Sequence, residues 1–269
     1  MIAMLINGLP PAAAAHAIAA EDRGFQYGDG LFETALLRNG QVRFLDDHLQ
    51  RLHEGSERLG FQAPADDVLR AEIARIVGSV RDGLIKIVVT RGAGGRGYRP
   101  AANLQPTRVV ALYELPSDLS DRPIALRWCE TRLGRNARLA GIKHLNRLEQ
   151  VLAQAEWQGE FDEGLMLDTE GEVVCATASN VFVVRDQVLV TPDLRFSGVA
   201  GVMRGQALRT ARRLGLAVNE EPLWLHDIEA ASEIFLTSAV RGIRPVAALG
   251  TLRWDHYPVA DKLRTALKV

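Results

Sequence analysis

Lysine is scarce in this chain of 269 residues, and one lysine lies in a segment that could support covalent amine chemistry. A lysine amine forms imines with carbonyl compounds, whereas a guanidinium stays protonated and does not. Lys143 stands between an irregular, arginine-rich segment and an apolar periodicity that predicts an amphipathic helix from Leu145 onward. The other interpretation is a surface lysine near a helix N-terminus. The lysines are Lys86, Lys143, Lys262 and Lys268, and the predicted apolar helix face is Leu145, Leu148, Val151, Leu152 and Ala155.

A glycine-rich loop at residues 91–98, RGAGGRGY, contains the spacing G-x-G-x-x-G after a predicted strand. A dinucleotide site would require this loop to open a helix, but Pro100 and Pro106 follow it and the next predicted element is a strand. Arg91 and Arg96 beside four glycines instead predict a mobile basic loop that closes on an anionic substrate, with arginine binding a carboxylate. A plain surface loop is the alternative.

Two further features could bind phosphate. Residues 198–204, GVAGVMR, enter a predicted helix through small residues, so the first backbone amides of that helix could cradle an anion. An ordinary glycine-containing loop before a helix is the commoner case. Arg51 lies inside the helix that follows a hairpin and is either an arginine on a solvated face, which the sequence alone favours, or a phosphate anchor.

Composition excludes several classes of function. The formal net charge of −1 gives no electrostatic reason to expect binding to nucleic acid or to an anionic membrane. Cys129 and Cys175 are too few for a disulfide framework or a zinc cluster, which is consistent with a reducing cytoplasm. The six histidines form no H-E-x-x-H pattern, so no metal site is expected. The N-terminal segment lacks a basic region, and neither a signal peptide nor a transmembrane helix is expected.

Hydrophobic periodicity and turn signals predict two mixed α/β domains of the α+β type with mostly hairpin-connected sheets. Asn39-Gly40 is a strong hairpin signal in the first domain. We expect an N-terminal domain at residues 1–114, a linker at 115–122 and a C-terminal domain at 123–269. The predicted strands are 4–7, 31–38, 41–45, 84–90, 107–113, 124–129, 164–168, 172–175, 180–184, 188–190, 216–219 and 233–236, and the predicted helices include 46–60, 66–80, 202–214 and 227–231.

Taken together, these segments resemble the class IV pyridoxal-phosphate enzymes, which have the branched-chain aminotransferase-like fold, and among them the aminodeoxychorismate lyases. The resemblance covers almost the whole chain and follows the family's order and spacing. It implies a two-domain, fold type IV enzyme in which the C-terminal domain carries the cofactor lysine. The matching segments are RGFQYGDGLFET, DDHLQRL, TRGAGGRGY, RLGRNARLAGIKHLNRLEQVLAQAEW, SNVFVV and GVAGVMRG.

The resemblance also implies roles for individual residues. Lys143 would be the Schiff-base lysine, and the other assigned positions would hold the cofactor phosphate or the substrate carboxylates. It further implies a homodimer. The implied phosphate ligands are Arg51, the backbone amides of Val202 and Met203, and the Ser238 hydroxyl; the implied substrate ligands are Arg96 and Tyr98.

One position departs from the family pattern. The family places a glutamate five residues before the asparagine of the SNVF strand, where it pairs with the pyridine nitrogen of the cofactor, but this chain has Cys175 there. Glu172 would point to the opposite face of a strand and is a poor substitute. A carboxylate at this position keeps the ring nitrogen protonated and makes the cofactor a better electron sink. The substitution therefore disfavours transamination more than it disfavours a lyase reaction.

The reaction implied by the resemblance converts 4-amino-4-deoxychorismate into 4-aminobenzoate and pyruvate, a step of folate synthesis. Lys143 would act as general base once released from the cofactor, and Thr34 is a candidate for protonating the leaving group. The alternatives are a class IV aminotransferase that acts on D- or branched-chain amino acids and a non-catalytic member of the fold. Cys175 and the loop at 91–98 count against the aminotransferase, and retention of Lys143 and Arg51 counts against loss of activity.

Overall fold

The computed structural model describes residues 1–12, 18–116 and 121–269. The chain divides into two compact units, of which unit 1 is Met1–Ser117 with Ile142–Asn146, and unit 2 is Asp118–Gly141 with Arg147–Val269. The lysine segment, expected in the C-terminal domain, therefore belongs to the N-terminal unit. The physical reason is that its backbone pairs with a strand of unit 1. Of the linker predicted at 115–122, residues 117–120 lie outside the described residues.

Unit 1 is built on a five-stranded antiparallel sheet in the order β1-β5-β4-β2-β3. Alternate residues of its central strand, such as Ile85, Ile87 and Val89, are buried among the apolar side chains of two helices, as the period-two pattern predicts. The strands are β1 (Ala3–Ile6), β2 (Gly30–Arg38), β3 (Gln41–Val42), β4 (Gly83–Thr90) and β5 (Thr107–Tyr113), and the helices are α1 (Arg23–Tyr27), α2 (Leu45–Leu59) and α3 (Asp66–Val77).

The hairpin predicted at Asn39-Gly40 is present. Both residues have positive φ, 52° and 78°, which a tight turn between right-twisted strands requires. The second strand is short, however, because only Leu37 and Arg38 of β2 pair with β3. One edge of the N-terminal half of β2 is therefore left for another segment of the chain.

Unit 2 contains a mixed sheet in the order β11-β10-β9-β12-β13-β6-β7-β8, with β14 paired to β13. Its core is lined by β7 and β8, in which every residue is buried, and by β9, which is buried except at Arg185. The strands are β6 (Ile124–Trp128), β7 (Glu163–Leu167), β8 (Val173–Ala176), β9 (Asn180–Arg185), β10 (Val188–Thr191), β11 (Val218–Glu220), β12 (Glu233–Ser238), β13 (Gly242–Leu249) and β14 (Leu252–Arg253), and the helices are α4 (Leu148–Gln154), α5 (Val202–Arg213), α6 (Leu225–Glu229) and α7 (Pro258–Leu267).

The helix predicted from Leu145 differs in both length and orientation. It begins only at Leu148, because the residues before it are extended along β2. Its apolar face is exposed rather than buried: Leu148, Val151 and Leu152 are 76%, 59% and 61% exposed, and Ala153 is the buried residue. In the described part of the chain, no helix combines the length and the apolar character needed to span a bilayer.

Candidate active site

Lys143 is held against the first half of β2. The amide of Phe32 donates to the Lys143 carbonyl at 3.0 Å, and the amide of Leu145 donates to the Gly30 carbonyl at 3.0 Å. These bonds use the edge of β2 that the short β3 does not reach. The half-buried Lys143 side chain places Nζ 4.2 Å from the centre of the Phe32 ring, within the distance of a cation–π contact. The strand thus fixes both the backbone and the amine of Lys143.

Phe32 and Thr34 share one face of β2, and a second amine lies over that face. Lys86 is opposite Thr34 in the register of β2 and β4, and its Nζ is 5.9 Å from the Phe32 ring centre. The sequence analysis did not select Lys86. The signal was present in the sequence, because Lys86 is one of four lysines and interrupts an apolar strand between Ile85 and Ile87. The amines of Lys86 and Lys143 therefore both lie near the Phe32 ring, and Thr34 is on the same face of β2.

The opposite face of β2 carries a buried ion cluster of Glu33, His48 and Arg51. Arg51 Nε donates to Glu33 Oε1 at 2.8 Å and Arg51 Nη2 to Glu33 Oε2 at 2.5 Å, while His48 Nδ1 lies 2.6 Å from Glu33 Oε2. The Glu33 and His48 side chains are 1% exposed and that of Arg51 is 13% exposed. Arg51 is therefore not the solvated arginine that the sequence alone favoured.

The charge state of this cluster follows from its contacts. Burial opposes ionisation of Glu33, but Arg51 and the hydrogen bond from His48 outweigh it and lower the pKa of Glu33 below its usual value. An ionised carboxylate only accepts, so the His48 nitrogen that faces it, Nδ1, carries the proton. Within the described residues the other ring nitrogen, Nε2, is buried with no hydrogen-bond partner. Glu33 thus fixes the direction of the Arg51 guanidinium.

The glycine loop at residues 91–98 follows β4 and leads to β5, so it opens no helix, as its prolines predicted. Its two arginines differ. Arg91 donates to both carboxylate oxygens of Asp29, at 2.7 and 3.1 Å, and to the carbonyls of Leu59 and Gly60. Arg96 is exposed and, among the described residues, has no ion-pair partner. We expected both arginines of the loop to be mobile, but Arg91 is held by several hydrogen bonds, whereas Arg96 is exposed.

In unit 2 the N-terminus of α5 presents backbone amides. Its N-cap is Gly201, which has no side chain to satisfy the first amides, including those of Val202 and Met203. A Cβ at Gly201 would lie 2.1 Å from Oδ1 of Asn180, whose Nδ2 donates to the Val199 carbonyl at 2.8 Å. Asn180 therefore shapes the turn before α5 and requires glycine there. This is the geometry of an anion cradle.

Ser238 ends β12, where its Oγ accepts from the Arg241 amide at 3.2 Å. It is half-buried. This contact orients the hydroxyl within unit 2 but does not by itself define a ligand. The role of Ser238 thus stays a prediction, as does that of Tyr98, which is 88% exposed in unit 1.

Cys175 lies in β8 and is buried. Burial, with a further contribution from Glu163, raises its pKa to about 12, so the thiol is neutral near pH 7. Glu172 does not supply the missing carboxylate, because it is held near Arg135, whose Nη1 lies 3.5 Å from its Oε1. Within the described residues, no group of three or more histidine, cysteine, aspartate or glutamate residues is placed to hold a metal ion.

Comparison with known proteins identifies the class. The amino-transferase class IV model matches residues 30–249, and the chain belongs to this family. It is 37% identical over 251 residues to aminodeoxychorismate lyase of Vibrio harveyi, covering 91% of this chain and 90% of that protein. It is 28% identical over 257 residues to D-alanine aminotransferase of Bacillus licheniformis, covering 91% and 88% of the two chains.

A comparison with solved structures also finds an aminodeoxychorismate lyase. The crystal structure of 4-amino-4-deoxychorismate lyase from Pseudomonas aeruginosa superposes with a TM-score of 0.92 at 41% sequence identity, covering 98% of each chain. The expected mixed α/β architecture of fold type IV is therefore confirmed.

Proposed function

We propose that the chain is a pyridoxal-phosphate-dependent lyase that eliminates pyruvate from 4-amino-4-deoxychorismate to give 4-aminobenzoate for folate synthesis. The observation that carries the proposal is Lys143, fixed over Phe32 by β2, in a chain 37% identical to an aminodeoxychorismate lyase along nearly its full length. The similarity to the Pseudomonas aeruginosa enzyme supports the same reaction.

The residues present fit the cofactor. In unit 1, Arg51, which Glu33 orients, is a suitable partner for a phosphate oxygen. In unit 2, the uncapped amides of Val202 and Met203 suit the same kind of group, and Ser238 offers a hydroxyl. We assign Lys143 to the covalent bond with the cofactor. When bound, pyridoxal phosphate supplies the carbonyl for that bond and an aromatic ring that accepts electrons.

The remaining roles belong to the chain's own side chains. The Lys143 amine takes the proton from the amine-bearing ring carbon of the substrate, since lysine is an effective general base when neutral. Arg96, Lys86 and Tyr98 offer donors for the two substrate carboxylates. The Thr34 hydroxyl, on the face of β2 that carries Phe32, is our candidate for protonating the departing enolpyruvate.

A class IV aminotransferase is the second candidate, favoured by the similarity to D-alanine aminotransferase. Cys175 argues against it, because a neutral thiol gives no negative charge to hold a proton on the cofactor's ring nitrogen. Elimination that forms a benzene ring needs less of that assistance. In Cys175→Glu we expect half-transamination with D-alanine to accelerate more than lyase turnover does. An equal gain in lyase turnover would contradict this explanation.

A homodimer in the cytoplasm completes the proposal. The exposed leucines and valine of α4 form an apolar stripe at i, i+3 and i+4, which a second copy of the chain would cover. Leu152→Lys places a charge on this stripe, and we expect it to raise the dimer dissociation constant in sedimentation equilibrium. Lys268, at the exposed C-terminal end of α7, offers a control in Lys268→Gln, which should leave dissociation unchanged.

The deciding experiment has two stages. Purified wild type should show an absorbance band near the visible edge that borohydride fixes covalently, whereas Lys143→Ala should bind cofactor without fixation. Wild type given aminodeoxychorismate should then release 4-aminobenzoate and pyruvate in equal amounts. Conversion of D-alanine or branched-chain amino acids to keto acids, without 4-aminobenzoate, would instead establish the aminotransferase. A protein that stays colourless with added pyridoxal phosphate would exclude both.

A further inference from the structure

Arg23 is a buried arginine that none of the roles above uses. It begins α1, is 3% exposed, and belongs to the segment RGFQYGD, residues 23–29, which precedes β2. A guanidinium is costly to bury unless its donors are satisfied, so its contacts should explain why it is there.

The contacts of Arg23 lead to the glycine loop. Its Nε donates to Asp29 Oδ2 at 2.9 Å, and its two terminal nitrogens donate to the carbonyls of Gly97 and Tyr98 at 3.0 and 2.9 Å. Its guanidinium carbon also lies 4.9 Å from the centre of the Tyr27 ring. One side chain thus holds two successive carbonyls that are 74 and 75 residues away in sequence.

Tyr27 and Asp29 reinforce this anchor. The Gly97 amide donates to Tyr27 Oη at 3.1 Å, and the Tyr27 and Tyr98 rings meet edge to face at 5.6 Å. Asp29 is shared by Arg23 and Arg91; burial opposes its ionisation, but these two arginines outweigh it and lower its pKa. The base of the loop is therefore a network of one carboxylate and two guanidinium groups.

Backbone contacts complete the attachment. The Arg23 amide donates to the Gly92 carbonyl, and the Gly94 amide donates to the Glu21 carbonyl. Thr90 Oγ1 donates to Asp22 Oδ2 and accepts from the Gly92 amide. Residues 21–29 thus hold the loop at Gly92, Gly94, Gly97 and Tyr98, and the mobility expected of its tip stays a prediction.

We propose that Arg23 is the positioning residue for the substrate-carboxylate loop: by holding the carbonyls of Gly97 and Tyr98, it sets where the Arg96 and Tyr98 side chains lie. This inference rests on the proposed function, which assigns those two side chains to the substrate. Gly97 has φ of +95°, so without the anchor the residue between Arg96 and Tyr98 is free to adopt many conformations. Arg23 itself reaches no substrate in this role.

The test substitutes Arg23→Lys, which keeps the charge beside Asp29 but cannot bind two carbonyls in a planar fork. The matched control is Arg99→Lys, a change of the same kind at an exposed arginine next to Tyr98. In the holoenzyme we expect Arg23→Lys to raise the KM for aminodeoxychorismate by about tenfold with kcat and cofactor content nearly unchanged. Trypsin should also cleave after Arg96 about tenfold faster, and the control should change neither value.

Unchanged KM and unchanged cleavage after Arg96 in Arg23→Lys would overturn the proposal. A parallel loss of kcat, cofactor content and protease resistance along the whole chain would also overturn it, since that pattern indicates a general structural role. Failure of wild type to form 4-aminobenzoate would contradict the proposed function, while cleavage after Arg96 would still report on the anchor.

Amide hydrogen exchange of wild type tests the anchor even if Arg23→Lys does not fold. The amides of Gly92, Gly94 and Gly97 are bonded to residues 21–29 or to Thr90, so we expect them to exchange slowly. Exchange of all three at the rate of an unstructured peptide would overturn the proposal.

Discussion

Unit 1 holds two arginine clusters that are built in opposite ways. Arg51 is buried beside Glu33 and His48, so its positive charge is matched by a carboxylate before any ligand arrives. The glycine loop instead keeps its matched charges, Arg23, Arg91 and Asp29, at its base and leaves Arg96 exposed. The first cluster fixes the direction of the Arg51 guanidinium. The second fixes the base of the loop and leaves the Arg96 guanidinium exposed to bind an anion.

This difference corresponds to the two ligands proposed for the site. A cofactor that stays bound is served by donors fixed in one direction, since ordering them in advance lowers the cost of binding. A substrate that enters and leaves is served by an exposed cation on a loop with a rigid base. The comparison predicts that substitutions in the buried cluster act mainly on stability and those at the loop tip act mainly on KM.

The largest effect is expected at Glu33. Glu33→Ala leaves the Arg51 guanidinium and the His48 donor without their buried acceptor, which should lower the free energy of unfolding by about 3 kcal/mol. Urea unfolding of the cofactor-free protein at pH 7 measures this change. The control Asp82→Ala removes an exposed ion pair with Arg38 and should cost less than about 0.5 kcal/mol. Equal losses in the two variants would refute the contrast between buried and exposed pairs.

The Glu33 contribution should also depend on pH. The pKa of Glu33 is lower in the folded protein than in the unfolded chain. The contribution of Glu33 to the free energy of unfolding is therefore complete when the pH is above the pKa that Glu33 has in the unfolded chain. It is lost as the pH falls through the lower, folded value. The difference in unfolding free energy between wild type and Glu33→Ala should therefore narrow below about pH 4.

An intermediate effect is expected at the base of the loop. Gly92 has φ of +96°, and an added Cβ would lie 1.8 Å from the Gln105 carbonyl oxygen, so Gly92→Ala forces the backbone to move. We expect a loss of about 2 kcal/mol in thermal or urea unfolding, together with a raised KM. Gly95→Ala is the matched control, because no atom lies within 4 Å of its added Cβ. If both alanines are tolerated equally, the loop base is not rigid.

The smallest effect on stability is expected at Arg96. Arg96→Gln removes an exposed side chain and should change the unfolding free energy by less than about 0.5 kcal/mol. The KM for aminodeoxychorismate should rise at least about tenfold, because a carboxylate loses a charged donor. Arg91→Gln should behave oppositely, with a clear loss of stability, since Arg91 holds Asp29 and two carbonyls. If the two variants change KM and the free energy of unfolding in the same way, the base and the tip of the loop do not have different roles.

The sequence predicted the parts of this site that local patterns encode. The scarcity of lysine singled out Lys143, and turn residues located the hairpin at Asn39-Gly40 and the loop at 91–98. The phosphate role proposed for Arg51 rests on the family resemblance, and its burial could not be predicted because its partner Glu33 is 18 residues away on a different element. Patterns along one helix cannot show which strand residue a side chain meets.

Several features were missed for related reasons. Arg23 has no local feature that indicates its bonds to carbonyls more than 70 residues away. The strand β13 contains Pro245, which argues against a central strand, and the sequence analysis assigned nothing there. The exposure of the apolar face of α4 could not be predicted, because periodicity identifies apolar stripes without showing what covers them.

The pairing of Ile142–Asn146 with β2 has a consequence for synthesis on the ribosome. Residues 1–117 emerge first, but among the described residues the segment that pairs with this edge of β2 from Gly30 to Phe32 is Ile142–Asn146, which is translated later. An unpaired strand edge is a site of incorrect association, so the nascent N-terminal unit passes through an interval in which it can pair with other chains. That interval ends when the segment carrying Lys143 arrives, and the residue proposed for catalysis lies on the segment that closes the sheet.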